Sequence, residues 1–390
     1  MPQPAERRAL MLFVIRLGLV SLFADFTYEG GRGIMGSYLA MLGATPLLVG
    51  LVSGGGEMVG YAVRWFSGRY ADRTRRYWPI MSVGYGLNLF AVPALALTTA
   101  LGPAVALMFG ERVGKGIRNP ARNVILSQAG ERYGHGQAFG IHELLDQTGG
   151  FLGPLTVAGL VALSSYRVAF AVLLLPALIA LLLLRRAYRH APTPQARPSA
   201  RVTMTRLPPL YFRYMAFAAL TVMGFTHFIL FSYHLAVSHR VAPPWIPALY
   251  ALAMASSGLA ALPAGKLFDR VGLKILYAVP LLILATNPLL FLARTPALIV
   301  AGTIVWGVAL GIQQSVMRAG VAQLSPQERR GAAFGLFDAG FGFAWMIGSI
   351  VMGWLYSLAA QDLVVFASGA EVASLALLPW ILRDAPASRA

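Results

Sequence analysis

Ionisable side chains interrupt long apolar runs at regular spacings in the first half of this chain. Asp25, Glu29 and Arg32 stand at i, i+4 and i+7, with Tyr28 among them. At about 100° per residue they fall within roughly 60° of one another on one helical face. Counting a rise of ~1.5 Å per residue from the basic end of the run places Asp25 near the middle of a bilayer. Glu57, Tyr61 and Arg64 repeat the spacing, and Glu57 is also deep. A third group reads Glu111, Arg112, Lys115, Arg118 and Arg122, of which all but Arg112 share a face. Charges inside a membrane are costly, so they face a cavity or one another. Carboxylates held there can bind and release protons, because burial favours the neutral acid while nearby arginines favour the ion. The same charges can hold a polar solute. The alternative for Glu29 with Arg32, and for Glu57 with Arg64, is a salt-bridged stripe that only holds helices together.

Further groups follow. His142, Glu143 and Asp146 lie opposite the basic residues Arg118 and Arg122 and predict a charge network at the cytoplasmic end. For Arg118 and Arg122 that position suggests snorkelling or pairing. In the second half His227, Phe231 and His234 share a face, with Gln313, Gln314, Arg318 and Asp338 further on as candidate cavity-lining groups; hydrogen-bonded core histidines are the alternative for His227 and His234. Two histidines at i and i+7 are too far apart to chelate one metal, and no metal site is expected. Glu371 stands alone in the last apolar run, is expected to be paired or protonated, and takes no role in this reading.

The elements that position these groups are long and apolar. Hydrophobic residues make up 57% of the 390 and charged residues 12%, against about 25% charge in a globular domain. Twelve runs long enough to span a bilayer are expected, near 9–42, 46–69, 77–99, 103–124, 137–162, 165–185, 208–237, 245–268, 273–293, 296–323, 330–358 and 362–383. The formal charge is +17, and most of it sits in alternate connections. That bias is the positive-inside signature; it puts both termini in the cytoplasm and argues against nucleic-acid binding. Residues 186–207 carry Pro192, Pro194 and Pro198 with no acidic residue, and read as a cytoplasmic linker between six-helix bundles at 1–185 and 208–390. Cysteine is absent, which excludes disulfides and thiol chemistry. Nucleotide-binding and hydrolase motifs are also missing; the run Ser53-Gly54-Gly55-Gly56 lacks the lysine of a phosphate loop.

The chain repeats itself. Gly68-Arg69-Tyr70-Ala71-Asp72-Arg73 recurs as Gly265-Lys266-Leu267-Phe268-Asp269-Arg270, an offset of 197, and Arg75 and Arg76 continue the first copy as Lys274 continues the second. Gly136, Ala138, Phe139 and Gly140 recur as Gly331, Ala333, Phe334 and Gly335 at 195, where Gly153 also meets Gly348. Six spans per half give both halves the same orientation. With this motif between the second and third runs of each half, the chain resembles transporters of the major facilitator superfamily. The resemblance implies an all-α membrane protein of two pseudo-symmetric six-helix bundles, with Gly68, Asp72, Arg73, Arg75, Arg76, Gly265, Asp269 and Arg270 acting in the cytoplasmic gate. Arg112 before Gly114 and Gly116 resembles the fourth-helix pattern linked to proton coupling, with Lys115 in place of the usual glutamine. Gly149, Gly153 and Pro154 resemble the fifth-helix motif of proton-coupled antiporters, without its closing glycine pair. A seam of small residues with a proline kink is the alternative for that segment.

The resulting expectation is a monomeric secondary transporter of the inner membrane, surrounded by lipid, using a proton gradient and no cofactor. Its first reading is proton-coupled export of a small, amphipathic organic molecule. Asp25, Glu29 and Glu57 are then the proton or substrate carboxylates, with Arg32 and Arg112 as counter-charges and Tyr61 beside them. Proton-driven uptake of a small anion or zwitterion is the second reading, anchored on Arg32, Arg112 and Lys115. A lipid flippase or a non-transporting receptor is the third.

Overall fold

The computed structural model describes residues 4–133, 135–189, 207–326 and 330–384, and these are almost entirely helical. In chain order the helices are α1 (Pro4–Met41), α2 (Pro46–Thr74), α3 (Tyr77–Ala94), α4 (Leu101–Tyr133), α5 (His135–Leu163), α6 (Tyr166–Val172), α7 (Leu174–Arg189), α8 (Pro209–Gly224), α9 (Phe228–Ser238), α10 (Trp245–Val271), α11 (Ala278–Phe291), α12 (Pro296–Leu324), α13 (Arg330–Leu358) and α14 (Ala360–Asp384). Each expected run coincides with helix. Two are interrupted: the sixth divides into α6 and α7, and the seventh into α8 and α9. Among the described residues nine helical stretches are long and apolar enough to cross a membrane, one of them a 47-residue stretch holding both α10 and α11. Charge-rich α4 and α5 are not among the nine, although they run for 33 and 29 residues. Most of the expected linker lies outside the described residues.

Local signals explain where helices start and stop. Prolines open α2, α8 and α12, where their missing N–H costs nothing. Ser165 caps α6 by accepting from the Val168 amide at 3.4 Å. After α2 the chain turns through Arg75 at φ 57°, and after α10 through Gly272 at φ 62°. These left-handed residues are 197 positions apart, the offset of the motif itself, so the repeat extends to the backbone turn.

Helix seams repeat in the same way. In the first half a Cβ at Gly153 of α5 would run into the Phe26 carbonyl of α1; in the second, a Cβ at Gly348 of α13 would run into the Met223 carbonyl of α8. Phe26 and Met223 are 197 apart, Gly153 and Gly348 are 195 apart. Gly116 of α4 meets the Gly60 carbonyl of α2, and Gly311 of α12 meets the Ser257 carbonyl of α10, again at 195 and 197. Backbones this close tolerate only glycine, the packing that lipid-embedded helices favour. Gly149 meets the Leu22 carbonyl one turn from Gly153, so two glycines of the fifth-helix motif form a packing seam.

The chain divides into two compact units, each built from three stretches of the sequence. One unit is residues 1–35, 59–199 and 243–251; the other is 36–58, 200–242 and 252–390. Within the second, Gly36 and Ser37 pack on α9, where Ser37 Oγ donates to the Ser232 carbonyl at 3.3 Å. Gly50 and Gly54 of α2 pack on Ser349 of α13. Within the first unit, Pro247 and Tyr250 from the start of α10 pack on Gly33 of α1. The core of that unit centres on Phe13, Leu17, Tyr85, Leu89 and Leu126.

Candidate functional site

The unbroken helix α1 keeps Asp25, Tyr28, Glu29 and Arg32 on one face, and α4 brings Lys115 and Arg118 against it. Gly84 of α3 and Gly114 of α4 make the approach possible: a Cβ on Gly84 would lie 2.6 Å from the Arg118 amide nitrogen. Arg118 is 0% exposed. Its guanidinium lies over the rings of Tyr28 and Tyr85, 5.4 and 4.5 Å from their centroids, a cation–π sandwich in a desolvated site. Nη2 approaches Asp25 Oδ1 at 3.7 Å, while Nε and Nη1 donate no hydrogen bond to the protein. Of the two expectations for Arg118, snorkelling or pairing, snorkelling is replaced: it faces Asp25, and aromatic partners from α1 and α3 hold it inside.

Tyr28 is the hub. Its hydroxyl donates to Asp25 Oδ2 at 2.9 Å and accepts from Lys115 Nζ at 2.9 Å. Glu29 is shared among Arg32 at 3.3 Å, Lys115 at 4.0 Å and the hydroxyl of Tyr250, which donates to its Oε2 at 2.5 Å. Asp25 and Glu29 are both buried. The group thus holds three cations (Arg32, Lys115, Arg118) around Asp25 and Glu29, and Asp25 also lies beside Asp146, which brings its own cation, Arg122. Arg112 pairs with its neighbour Glu111 at 3.2 Å, and Glu111 Oε1 also accepts from Asn88 Nδ2 at 2.9 Å. That neutral pair leaves the positive excess unchanged.

Part of the expected charge network is present. Arg122 faces Asp146 at 3.9 Å. His142, by contrast, bonds to Ser21 at 2.8 Å, and Glu143 accepts from Gln147 at 2.9 Å. Arg64 lies over Tyr61, 4.9 Å from its ring centre.

Glu57 belongs to the other unit, where its Oε1 lies 3.5 Å from His227 Nε2. His227 caps α9 by accepting from the Ile229 amide at 3.2 Å and faces Trp345. His234 bonds to Tyr356 at 2.8 Å. Gln313 is buried with Nε2 unpartnered, while Gln314 and Arg318 are exposed and Asp338 is half-buried. In the gate motif Asp72 is exposed and accepts from Tyr77 at 3.3 Å, with no arginine paired to it among the described residues. Asp269 and Arg270 are likewise exposed at the end of α10. Among the described residues no group of His, Asp and Glu could hold a metal.

The sequence matches the family model described as Major Facilitator Superfamily over residues 17–242 and again over 234–390. The chain belongs to the major facilitator superfamily. It is 42% identical over 377 residues to an uncharacterised protein of Mycobacterium tuberculosis, covering 94% of this chain and 92% of that one. Among solved structures it superposes on the nucleoside transporter NupG with a TM-score of 0.75, at 15% identity, over 95% of this chain and 99% of that one. A POT family transporter in complex with 5-aminolevulinic acid gives 0.75 at 14% identity, over 95% and 96%. This superfamily member is therefore a multi-pass membrane transporter of small molecules and not an enzyme. At these identities the solved structures share its fold; they do not assign its cargo.

Proposed function

We propose that this protein is a proton-coupled secondary transporter whose cargo is a small anion or zwitterion, bound at the cluster between α1 and α4. The supporting observation is the composition of that cluster: one fully buried and two half-buried cations around Asp25 and Glu29, with Arg118 Nε and Nη1 lacking hydrogen-bond acceptors among the described residues. A buried guanidinium with unused donors is costly, and a carboxylate or similar oxyanion supplies the acceptors it lacks. Coupling follows from competition. Asp25 and the cargo draw on the same guanidinium, so a proton on Asp25 releases Arg118 toward the cargo. Proton and anion are then bound together, which corresponds to symport and to uptake down a proton gradient. Tyr250, reaching Glu29 from the start of α10, ties the loaded cluster to the second half of the sequence.

A second reading, proton-driven export of an amphipathic molecule, draws on the aromatic groups around His227, among them Phe225, Trp306 and Trp345. Its other support, the glycines at 149 and 153, is weakened by their use as a seam against α1. We assign the protein to the inner membrane with both termini cytoplasmic, as a monomer in lipid with no cofactor. In proteoliposomes, symport requires that an inward proton gradient accelerate accumulation of the solute; acceleration of its exit instead would establish export.

A further inference from the structure

Glu371 takes no part in the cluster above, yet it is the most completely isolated carboxyl in the described residues. It sits 11 residues into α14 and 13 from its end, so about 16–20 Å of helix separates it from either terminus. It is 0% exposed. Oε1 has no hydrogen-bond partner. Oε2 lies 3.4 Å from Ser374 Oγ, but that hydroxyl already donates to the Glu371 carbonyl at 2.8 Å, and it has one hydrogen to give.

Among the described residues no cation compensates. Against α14 pack α8, α11, α13 and the 3-10 turn Gly272–Tyr277. On α8 the titratable groups are Tyr211, Arg213 and Tyr214. Tyr211 donates to the Ala333 carbonyl and Tyr214 to the Met317 carbonyl, both at 2.7 Å. Arg213 pairs with Asp384 at the far end of α14. Helix α11 carries no ionisable residue; α13 carries Asp338 and Tyr356 among its described side chains, and the turn carries Lys274 and Tyr277. None of these pairs with Glu371. An ionised carboxylate so placed would have neither a cation nor a free donor, and such a group takes up a proton.

Its neighbour is the interruption of the seventh span. Helix α8 ends at Gly224, Phe225 is extended (φ −84°, ψ 104°) and α9 begins after His227. Any Cβ on Gly224 would collide with Glu371 Oε1, so the glycine makes room for the carboxyl at the break. The backbone freed there is taken up by side chains: Asn287 Nδ2 donates to the Gly224 carbonyl and Trp306 Nε1 to the Thr226 carbonyl, each at 2.9 Å. Beyond the break His227 faces Glu57.

We propose that Glu371 is a proton-binding site of the second half, loaded in this conformation and emptied when the Gly224 break moves away from α14. On emptying, the acid O–H bond breaks, the proton passes to water as hydronium, and the carboxylate is left hydrated. This rests on the proton-coupled reading given above.

Infrared spectroscopy of the protein in lipid vesicles tests it. At neutral pH wild type should show the carbonyl stretch of a protonated acid that Glu371→Gln lacks, and the band should disappear at high pH. Hydrophobic carbodiimide, which modifies protonated carboxyls, should label Glu371 of the wild-type chain, less so as pH rises, in a readout that needs no variant. Glu371→Gln should lose roughly tenfold in pH-driven flux while gradient-free exchange is kept. An ionised Glu371 at neutral pH, labelling that is absent or independent of pH, or unimpaired pH-driven flux in Glu371→Gln overturns the proposal. A titrating band in a wild type that shows no proton-driven flux would uphold the site and sink the coupling reading instead.

Discussion

The two halves of this transporter share a scaffold and differ in what it carries. Seams at Gly116–Gly60 and Gly153–Phe26 recur at Gly311–Ser257 and Gly348–Met223. Applying the same two offsets to the charged cluster pairs Asp25 with Val222, Glu29 with Thr226, Arg32 with Ile229, Lys115 with Leu310 and Arg118 with Gln313. Every charge of that cluster is replaced by a neutral group, whereas the charged gate motif is kept in both halves. Tyr28, which organises the cluster, becomes Phe225, stacked on Trp306 with ring centroids 5.2 Å apart. Duplication preserved what backbone packing demands. Side chains not constrained by the seams diverged, and a dense ion cluster stayed in one copy. The second copy keeps instead a helix break with a lone acid against it.

The sharpest way to break this comparison is to make the first half like the second. Arg118→Gln installs the side chain of the equivalent position and leaves Asp25 without its cation. Losing a charge-assisted contact to the cargo costs about 1.5–3 kcal/mol of binding, so apparent affinity, and with it flux at low solute concentration, should fall by roughly ten- to a hundredfold. Proteoliposome uptake measures it, and near-wild-type flux would show that the cluster is structural. Asp25→Asn comes next: it mimics the protonated acid, so gradient-driven transport should be lost while gradient-free exchange survives. Sensitivity of exchange to pH should vanish with it. Paired flux assays separate the two.

The scaffold side of the comparison predicts equality. Gly153→Ala and Gly348→Ala place a methyl against equivalent carbonyls, and overpacking costs about 1–3 kcal/mol. Thermal unfolding in detergent should show similar losses for both, whereas a loss confined to one would mean that the seams are not equivalent. Tyr250→Phe should have a smaller effect. It removes one of three contacts to Glu29, and with Arg32 and Lys115 still holding the carboxylate the net loss is about 0.5–1 kcal/mol; a change of a few-fold in apparent affinity is expected. Asp72→Asn should barely alter stability, within about 0.5 kcal/mol for an exposed site, as melting temperature will show.

The sequence displayed the repeat, the helix positions and the stripe of Asp25, Glu29 and Arg32, the last because an unbroken helix of period 3.6 carries all three residues. It hid the break at Gly224–His227. No proline marks that point, and the run reads as a single helix, so the shared face assigned to His227 and His234 does not persist: one meets Glu57, the other Tyr356. Arg118 looked like a residue at a membrane boundary because its ring partners, Tyr28 and Tyr85, come from other helices. Tyr250 was missed for the same reason. It is one aromatic residue in an apolar run, and only tertiary structure brings it to Glu29. Gly224 and Glu371 are 147 positions apart, and neither carries a local signal of the other.

Ligand-dependent melting of the purified protein addresses the central claim most directly. Sulfate, mono- and dicarboxylates, amino acids and amphipathic cations would be compared at pH 6 and pH 8 on wild type and Arg118→Gln. A bound ligand raises stability by mass action. Because a proton on Asp25 frees Arg118, an anion or zwitterion should stabilise wild type more at pH 6 than at pH 8, and Arg118→Gln should not respond. Stabilisation by amphipathic cations alone, equal in both proteins, would contradict the account.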